Sequence, residues 1–255
     1  MRQILKKKVK RACIFNYPVD ITSRENAVNF VLECMQNKQG LHVVTINPEI
    51  IYAADKNSEL AKIIKQAEFI IPDSVGMMLA IKSLGFMNAD QIPGIEFSEN
   101  LIEKCSKKGY KVAFLGGSED TINALIEEFD AKYPELDVVF SQNGYFNCGE
   151  TENIINKLKN TEPDLLLVAL GAPKQEYFIS NAKKHLDKTV MIGVGGSFDV
   201  WAKKTKRAPV LFRLFGLEWF YRLITQPQRF NRMFPVLPLF FLRILFERAN
   251  LRKEY

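Results

Sequence analysis

The stretch that decides the fold is Asp164-Leu-Leu-Leu-Val-Ala-Leu-Gly-Ala-Pro-Lys-Gln-Glu176. Its apolar run, Leu165 to Leu170, is typical of a strand that is buried on both faces of a parallel sheet. A small-residue turn follows, and Pro173 suits the first turn of a helix. Ligands of open α/β sheets bind outside the carboxyl ends of the strands, so Gln175 is a candidate ligand contact. The alternative is an ordinary loop with solvated polar residues.

The same order of apolar strand, turn and helix recurs along the chain. Strands are predicted at residues 41–46, 69–71, 111–115, 137–140, 165–170 and 189–194. Strands that alternate with helices predict an α/β fold, here a Rossmann-like, doubly wound and mainly parallel sheet. We expect this core to span residues 1–203 and a basic, helical appendage to span residues 204–255.

Polar residues stand where other predicted strands end. Thr45 and Asn47 lie at the end of the first strand, and Asp73 follows the second. Because parallel strands end at one edge of the sheet, Asp73 is placed as Gln175 is. The third strand runs into Gly116, Gly117 and Ser118, where glycine allows close backbone approach and the serine caps a helix that can attract phosphate.

Sheets of this kind often bind a dinucleotide at a glycine-rich turn, but the glycine pattern of this chain is incomplete. The segment from Gly193 begins as Gly-x-Gly, but Phe198 occupies the place of the third glycine. The chain has no Walker lysine motif and no Asp-x-Asp pair for a divalent metal on a nucleotide sugar. We therefore expect backbone amides and Lys or Arg side chains, without a metal or other cofactor, to neutralise any bound diphosphate.

Charge is distributed unevenly. Residues 1–11 carry six Lys or Arg and no acids, and residues 201–255 carry twelve against three acids, although the whole chain is only +6. The body between these ends is therefore acidic. This pattern argues against a nucleic-acid partner and indicates an anionic membrane surface or a phosphorylated ligand.

The basic C-terminal appendage also contains an apolar segment from Phe234 to Phe246. Two prolines and Arg243 interrupt it, and it is too short to cross a bilayer. Its mixture of aromatic and arginine residues predicts a segment in the membrane interface, with apolar groups in lipid and guanidinium groups on head groups. The alternative is a helical cap that packs on the core.

The cysteines and the amino terminus indicate an intracellular protein. Cys13, Cys34, Cys105 and Cys148 show no metal-ligand or disulfide spacing, so we expect reduced packing residues. The segment after the basic start is too short and polar for a signal peptide. We expect a cytoplasmic protein that is peripheral on the inner face of the cell membrane. The sequence does not decide the oligomeric state, and a homo-oligomer is one possibility.

Six motifs follow one another along the chain: Thr45-Ile-Asn-Pro-Glu49, Pro72-Asp-Ser-Val-Gly76, Leu170-Gly-Ala-Pro-Lys-Gln-Glu176, Gly193-Val-Gly-Gly-Ser-Phe-Asp199, Arg207-Ala-Pro209 and Gly216-Leu-Glu-Trp219 to Arg222. In this order they resemble the WecG/TagA/CpsF glycosyltransferases. The resemblance implies an inverting enzyme of the GT-E type that moves N-acetylmannosamine, or its uronic acid, from a UDP donor to N-acetylglucosamine on undecaprenyl diphosphate. The family serves teichoic acid, common antigen and capsule assembly.

The resemblance also assigns roles to residues. Asp73 matches the proposed base, which an inverting transfer needs for the acceptor hydroxyl. Thr45 and Asn47 match residues beside the donor sugar, and Gln175 matches one that holds or orients substrate. Metal-free stabilisation of the leaving UDP falls to glycine turns and to arginines. The further predicted substrate contacts are Gln91, Gly171, Gly195, Gly196, Asp199, Arg207, Arg213, Arg222 and Arg229.

One position departs from the family pattern. Relatives often carry arginine three residues before the glycine that is Gly94 here, and this chain has Gln91. The departure puts the donor or the activity in question, and Lys82 or an appendage arginine are candidate substitutes. Two other classes stay open: a nucleotide-binding oxidoreductase, which the imperfect glycine pattern disfavours, and a non-catalytic membrane adaptor, which the Asp73 and Gln175 motifs disfavour.

Overall fold

The computed structural model describes residues 9–87, 89–214, 217–225, 234–246 and 251–254. Within these ranges the strands form two sheets, one of three strands and one of six. The strands are β1 (Lys10–Ile14), β2 (Tyr17–Ile21), β3 (Leu41–Ile46), β4 (Phe69–Pro72), β5 (Lys111–Gly116), β6 (Asp137–Gln142), β7 (Leu165–Ala169), β8 (Val190–Gly193) and β9 (Leu251–Glu254).

The six-stranded sheet has the order β4-β3-β8-β7-β5-β6, and every neighbouring pair is parallel. The helices that connect its strands cover both faces. This arrangement confirms the predicted Rossmann-like α/β fold. The helices are α1 (Arg24–Gln36), α2 (Pro48–Asp55), α3 (Ser58–Gln66), α4 (Val75–Ser83), α5 (Gly94–Lys108), α6 (Glu119–Lys132), α7 (Thr151–Thr161), α8 (Lys174–Ala182), α9 (Ser197–Trp201), α10 (Val210–Leu214), α11 (Glu218–Thr225) and α12 (Val236–Phe246).

Strand β7 explains how the sequence produces two apolar layers. Its residues Leu165 and Leu167 pack into the core layer that includes α1, α5 and α6. Leu166 and Val168 point to the opposite face, into the layer that includes α7 and α8. Because successive side chains of a strand alternate between faces, one apolar run supplies both layers.

The small sheet joins the two ends of the described chain. Strand β1 pairs antiparallel with β2 on one side and with β9 on the other. The β1–β2 turn places Phe15 at φ 50° and Asn16 at φ 68°. Buried Asp20 on β2 binds the Arg11 guanidinium and accepts a 2.8 Å hydrogen bond from the Ile70 N–H, which ties this sheet to β4.

Helix α12 packs on α2 and α4 and so reaches the edge of the main sheet. Val236 and Phe240 are buried, and the Phe240 ring meets the Phe15 ring edge-on with centroids 5.2 Å apart. Arg243 pairs with Asp55 and lies 4.3 Å from the centre of the Phe15 ring. Arg243 therefore anchors this helix to the core, whereas the sequence pattern assigned it to lipid head groups. No helix within the described ranges has the length and apolarity needed to cross a membrane.

Candidate active site

A polar cleft lies at the carboxyl edge of the main sheet, where β3, β4, β7 and β8 end. It has two arms. The α2 arm, of about 550 Å³, runs past Gly171 and Gln175 to the end of α2. The α5 arm, of about 200 Å³, runs past Gln91 and Gly94 to Trp219. Six residues line both arms and mark where these meet: Thr45, Asn47, Glu49, Asp73, Val194 and Gly196.

Asp73 stands at the junction of the two arms and is held through several of its atoms. Its N–H donates to the Ile46 carbonyl over 3.0 Å, which fixes it against the end of β3. Its Oδ1 accepts a 2.7 Å hydrogen bond from the Gly94 N–H, at the first residue of α5. Its carbonyl accepts from Nε2 of Gln91 over 3.2 Å. The side chain is half-buried, so the carboxylate is both oriented and accessible from the cleft.

Gly94 packs so closely on Thr45 that a larger residue would not fit. A Cβ at Gly94 would lie 2.9 Å from Cγ2 of Thr45, inside van der Waals contact. Thr45 is buried at the end of β3, and its hydroxyl lies 3.5 Å from the Gly193 carbonyl on β8. The ends of β3 and β8 and the start of α5 are therefore in contact beside Asp73.

Asn47 lies between β3 and α2 and caps the helix. Its Oδ1 accepts a 3.0 Å hydrogen bond from the Ile50 N–H, and Pro48 takes the first helical position. Because Oδ1 accepts this bond from the helix, the amide NH2 group of Asn47 is the hydrogen-bond donor that this side chain can offer to a ligand in the cleft.

Gln175 and Glu176 form a buried pair at the start of α8. Nε2 of Gln175 donates to Oε1 of Glu176 over 2.9 Å, and Oε1 of Gln175 accepts from the Gly195 N–H over 3.1 Å. Burial raises the pKa of the Glu176 carboxyl. The Gln175 side chain lines the α2 arm, and its amide packs against Gly193. The predicted contact residue thus holds the Val194–Gly196 turn.

The predicted phosphate loop lies at the same sheet edge but does not line either arm. Ser118 caps α6 by accepting from the Thr121 N–H over 3.1 Å, and the Thr121 hydroxyl lies 3.2 Å from Oδ1 of Asp199. Asp199 therefore joins this group. Gly116 has φ 134°, and a Cβ there would lie 2.4 Å from the Ala169 carbonyl oxygen. Gly117 has φ 68°, so strand packing and backbone shape already require both glycines.

The structure describes the four arginines that were predicted as substrate contacts to different extents. Arg207 pairs with Glu96 over 2.6 Å, and Glu96 also binds Arg24 over 2.8 Å. Arg207 does not line either described arm. Arg213 lies in α10 and Arg222 in α11, and for these two residues the structure describes the backbone alone; Arg229 lies outside the described residues.

Sequence reasoning missed the face that α2 presents to the cleft. Glu49, Tyr52, Ala53 and Lys56 all line the α2 arm. Nζ of Lys56 bonds the Tyr52 hydroxyl over 2.6 Å and lies 4.0 Å from the centre of its ring. The spacing of three and four residues along one helix face was the available signal. Among the described residues that line the two arms, Lys56 is the one with a positively charged side chain.

The fold and the cleft define an α/β enzyme whose carboxylate stands where two ligand-sized spaces meet. The chain belongs to the Glycosyl transferase WecG/TagA/CpsF family, whose model matches residues 12–254. It is therefore a glycosyltransferase, which decides against the oxidoreductase and adaptor alternatives.

Curated relatives share most of the chain. A protein of Bacillus spizizenii is 35% identical over 221 residues, which cover 86% of this chain and 84% of the relative. A Bacillus subtilis (strain 168) protein is 32% identical over 221 residues, covering 87% and 85%. A Staphylococcus aureus (strain NCTC 8325) protein is 32% identical over 218 residues, covering 86% and 85%. Each is named N-acetylglucosaminyldiphosphoundecaprenol N-acetyl-beta-D-mannosaminyltransferase.

Proposed function

We propose that this enzyme transfers N-acetylmannosamine, or a closely related sugar, from a UDP donor to the N-acetylglucosamine of an undecaprenyl-diphosphate-linked acceptor. The reaction inverts the anomeric centre, needs no metal, and serves a teichoic acid or capsule-like polysaccharide. The names of the relatives support the sugar and the acceptor. The observation that carries the proposal is the position of Asp73 at the junction of the two arms.

In the proposed reaction Asp73 is the general base. Its carboxylate takes the proton of the attacking acceptor hydroxyl as that oxygen bonds to the anomeric carbon of the donor sugar. The bond from that carbon to the phosphate oxygen breaks, and its electron pair leaves with UDP. Attack from the face opposite the leaving group inverts the centre. The Gly94 N–H orients the base for this step through its 2.7 Å hydrogen bond.

The remaining predicted contacts divide between sugar and nucleotide. We assign Thr45, Asn47 and Gln91 to the sugars, since they line the cleft around Asp73. The group of Gly116, Gly117, Ser118 and Asp199 is assigned to the nucleotide, because it lies at the same sheet edge beyond the end of β7.

The leaving diphosphate needs positive or hydrogen-bonding partners. We assign this role to the backbone at Gly171 and Gly196 and to Lys56, which line the α2 arm, while Gly195, whose N–H is held by Gln175, shapes the Val194–Gly196 turn. Appendage arginines Arg213, Arg222 and Arg229 are proposed to complete the charge. Arg207 is proposed to act indirectly, through its ion pair with Glu96.

We also propose that residues 204–255 bind the inner face of the cell membrane, where a polyprenyl acceptor resides. Helix α12 supports this: while Val236 and Phe240 face the core, other large apolar side chains are exposed. An apolar helix face within a segment rich in lysine and arginine suits the interface of an anionic bilayer. The exposed residues are Leu239, Phe241, Leu242, Leu245 and Phe246.

A transfer assay tests the proposed function. The full chain is incubated with a lipid-linked N-acetylglucosamine diphosphate analogue and, separately, with several UDP-sugars, in the presence and absence of EDTA. We expect mass spectrometry to show one added N-acetylmannosamine or related residue, with an inverted anomeric bond by NMR and no loss with EDTA. Absence of transfer from every UDP-sugar would overturn the proposal, and loss of activity with EDTA would overturn its metal-free form.

A further inference from the structure

Glu176 is a buried acid that the proposed chemistry does not use. Its side chain is 2% exposed, and Oε2 has no hydrogen-bond partner among the residues that the structure describes. Its other oxygen, Oε1, accepts from Nε2 of Gln175 over 2.9 Å. A buried carboxyl group that leaves one oxygen without a hydrogen bond is costly to keep, so a role for its contact with Gln175 is expected.

The contact decides which way the Gln175 amide points. A glutamine amide has a donor end and an acceptor end, and the Gly195 N–H needs the acceptor end. Glu176 receives the donor end. If the amide turned over, two donors would meet at Gly195 and two acceptors at Glu176. Both contacts therefore favour the same orientation of one side chain.

Gln175 transmits this orientation to the cleft. Its Oε1 holds the Gly195 N–H over 3.1 Å, and Gly195 has φ 51°, in the left-handed region. Its amide packs so closely on Gly193 that a Cβ there would lie 2.5 Å from Nε2. Gly196, the next residue of the turn, lines both arms of the cleft.

We propose that Glu176 is a positioning residue, which orients the Gln175 amide and thereby fixes the Val194–Gly196 turn against the bound donor sugar diphosphate. The inference rests on the proposed function for the identity of that ligand. Burial raises the pKa of Glu176, and the proposal rests on the position of Oε1, which accepts from Nε2 of Gln175. A glutamine at position 176 offers the same acceptor without a charge.

A double-mutant cycle tests the proposal. We expect Glu176→Ala to lower kcat/KM about tenfold, because Nε2 of Gln175 loses its buried partner. Glu176→Gln should restore most of this activity. In a Gln175→Ala background, Glu176→Ala should cost less than twofold further, since its effect passes through Gln175. The proposal would be overturned if the kcat/KM losses of the two single variants multiplied in the double variant. It would also be overturned if a folded Glu176→Gln protein did not regain activity.

Hydrogen exchange at the Gly195 amide gives a readout that does not depend on transfer. We expect Glu176→Ala and Gln175→Ala to speed exchange of this amide at least tenfold, and Glu176→Gln to leave it close to the parent rate. The Val190–Gly193 amides serve as internal controls for general destabilisation. An unchanged Gly195 rate in Glu176→Ala would overturn the positioning role, whereas an inactive parent with the expected exchange pattern would contradict only the proposed function.

Discussion

The backbone N–H of Gly94 donates a 2.7 Å hydrogen bond to the carboxylate of Asp73. This contact joins the start of α5 to the end of β4, although α4 and the connection after it separate the two residues in sequence. Thr45 packs on the same glycine. The candidate base is therefore oriented by backbone that contacts a neighbouring strand end, which makes Gly94 a sensitive position.

Gly94→Ala should reduce transfer at least tenfold and lower the free energy of unfolding by about 1–3 kcal/mol. The new Cβ would lie 2.9 Å from Cγ2 of Thr45, so the start of α5 has to move away and carry its N–H from Asp73. Gly149→Ala is the matched control, since a Cβ there has no neighbour within 4 Å. Chemical unfolding and steady-state kinetics measure both effects. Equal activity of the two variants would contradict this role.

Lys56→Ala should raise KM for one diphosphate substrate about tenfold and leave kcat within a few-fold of the parent value, because a charged hydrogen bond is lost. Lys56 lines the α2 arm, whereas Lys62 is an exposed lysine of α3 and provides the control variant Lys62→Ala. Varying donor and acceptor separately shows which diphosphate Lys56 contacts. Unchanged KM values for both substrates would show that Lys56 does not contact either diphosphate.

Leu242→Gln combined with Leu245→Gln should release the protein from anionic vesicles. Both side chains are exposed on α12, so the change removes apolar surface without altering charge or the buried contacts of Val236 and Phe240. Cosedimentation should fall several-fold. Met87→Gln, at an exposed methionine outside the helix, is the control. Unaltered cosedimentation of the double variant would count against membrane binding through α12.

The free energy of unfolding should fall in mild acid because buried His42 resists protonation in the folded state. Burial and then the nearby Lys183 charge lower its pKa to about 3, while the unfolded value is about 6.5. Between these values the unfolded state binds the extra proton, so stability falls as pH falls, by about 1.4 kcal/mol per pH unit. His42→Leu should flatten this slope between pH 6.5 and 5 in chemical unfolding, and His185→Asn, at an exposed histidine, should retain it. An identical slope in His42→Leu would refute the assignment.

The sequence predicts well the features that follow from strand burial. Leu165 to Val168 are all buried, as their apolar run indicates. Because parallel strands end at one edge, the positions of Thr45, Asp73 and Gln175 after separate strands were enough to predict that these residues come together.

Features that depend on contacts between distant segments could not be predicted. Arg207 meets Glu96 across 111 positions of sequence, so the residue that looked like a substrate contact is paired within the protein. The spacing along α2 groups Lys56 with Tyr52 and Ala53, but it does not show that this face lies across the cleft from Gln175 and beside α12. The β1–β2 hairpin turns at Phe15, a residue without turn preference.

Helix capping shows how a local pattern can mislead by one position. Thr22 and Glu25 have capping-box spacing, yet Ser23 caps α1, with its hydroxyl accepting from the Asn26 N–H over 3.2 Å. Both residues suit a cap, and tertiary packing, which buries Thr22, selects between them.

The most direct measurement of the central claim is transfer by Asp73→Asn in a radiolabelled sugar assay. Asparagine keeps the acceptor for the Gly94 N–H but cannot take a proton, so the fold and UDP binding should persist while kcat falls about 10²- to 10⁴-fold. Circular dichroism and UDP titration provide the controls. Turnover near the parent rate by a folded, UDP-binding Asp73→Asn protein would contradict the account.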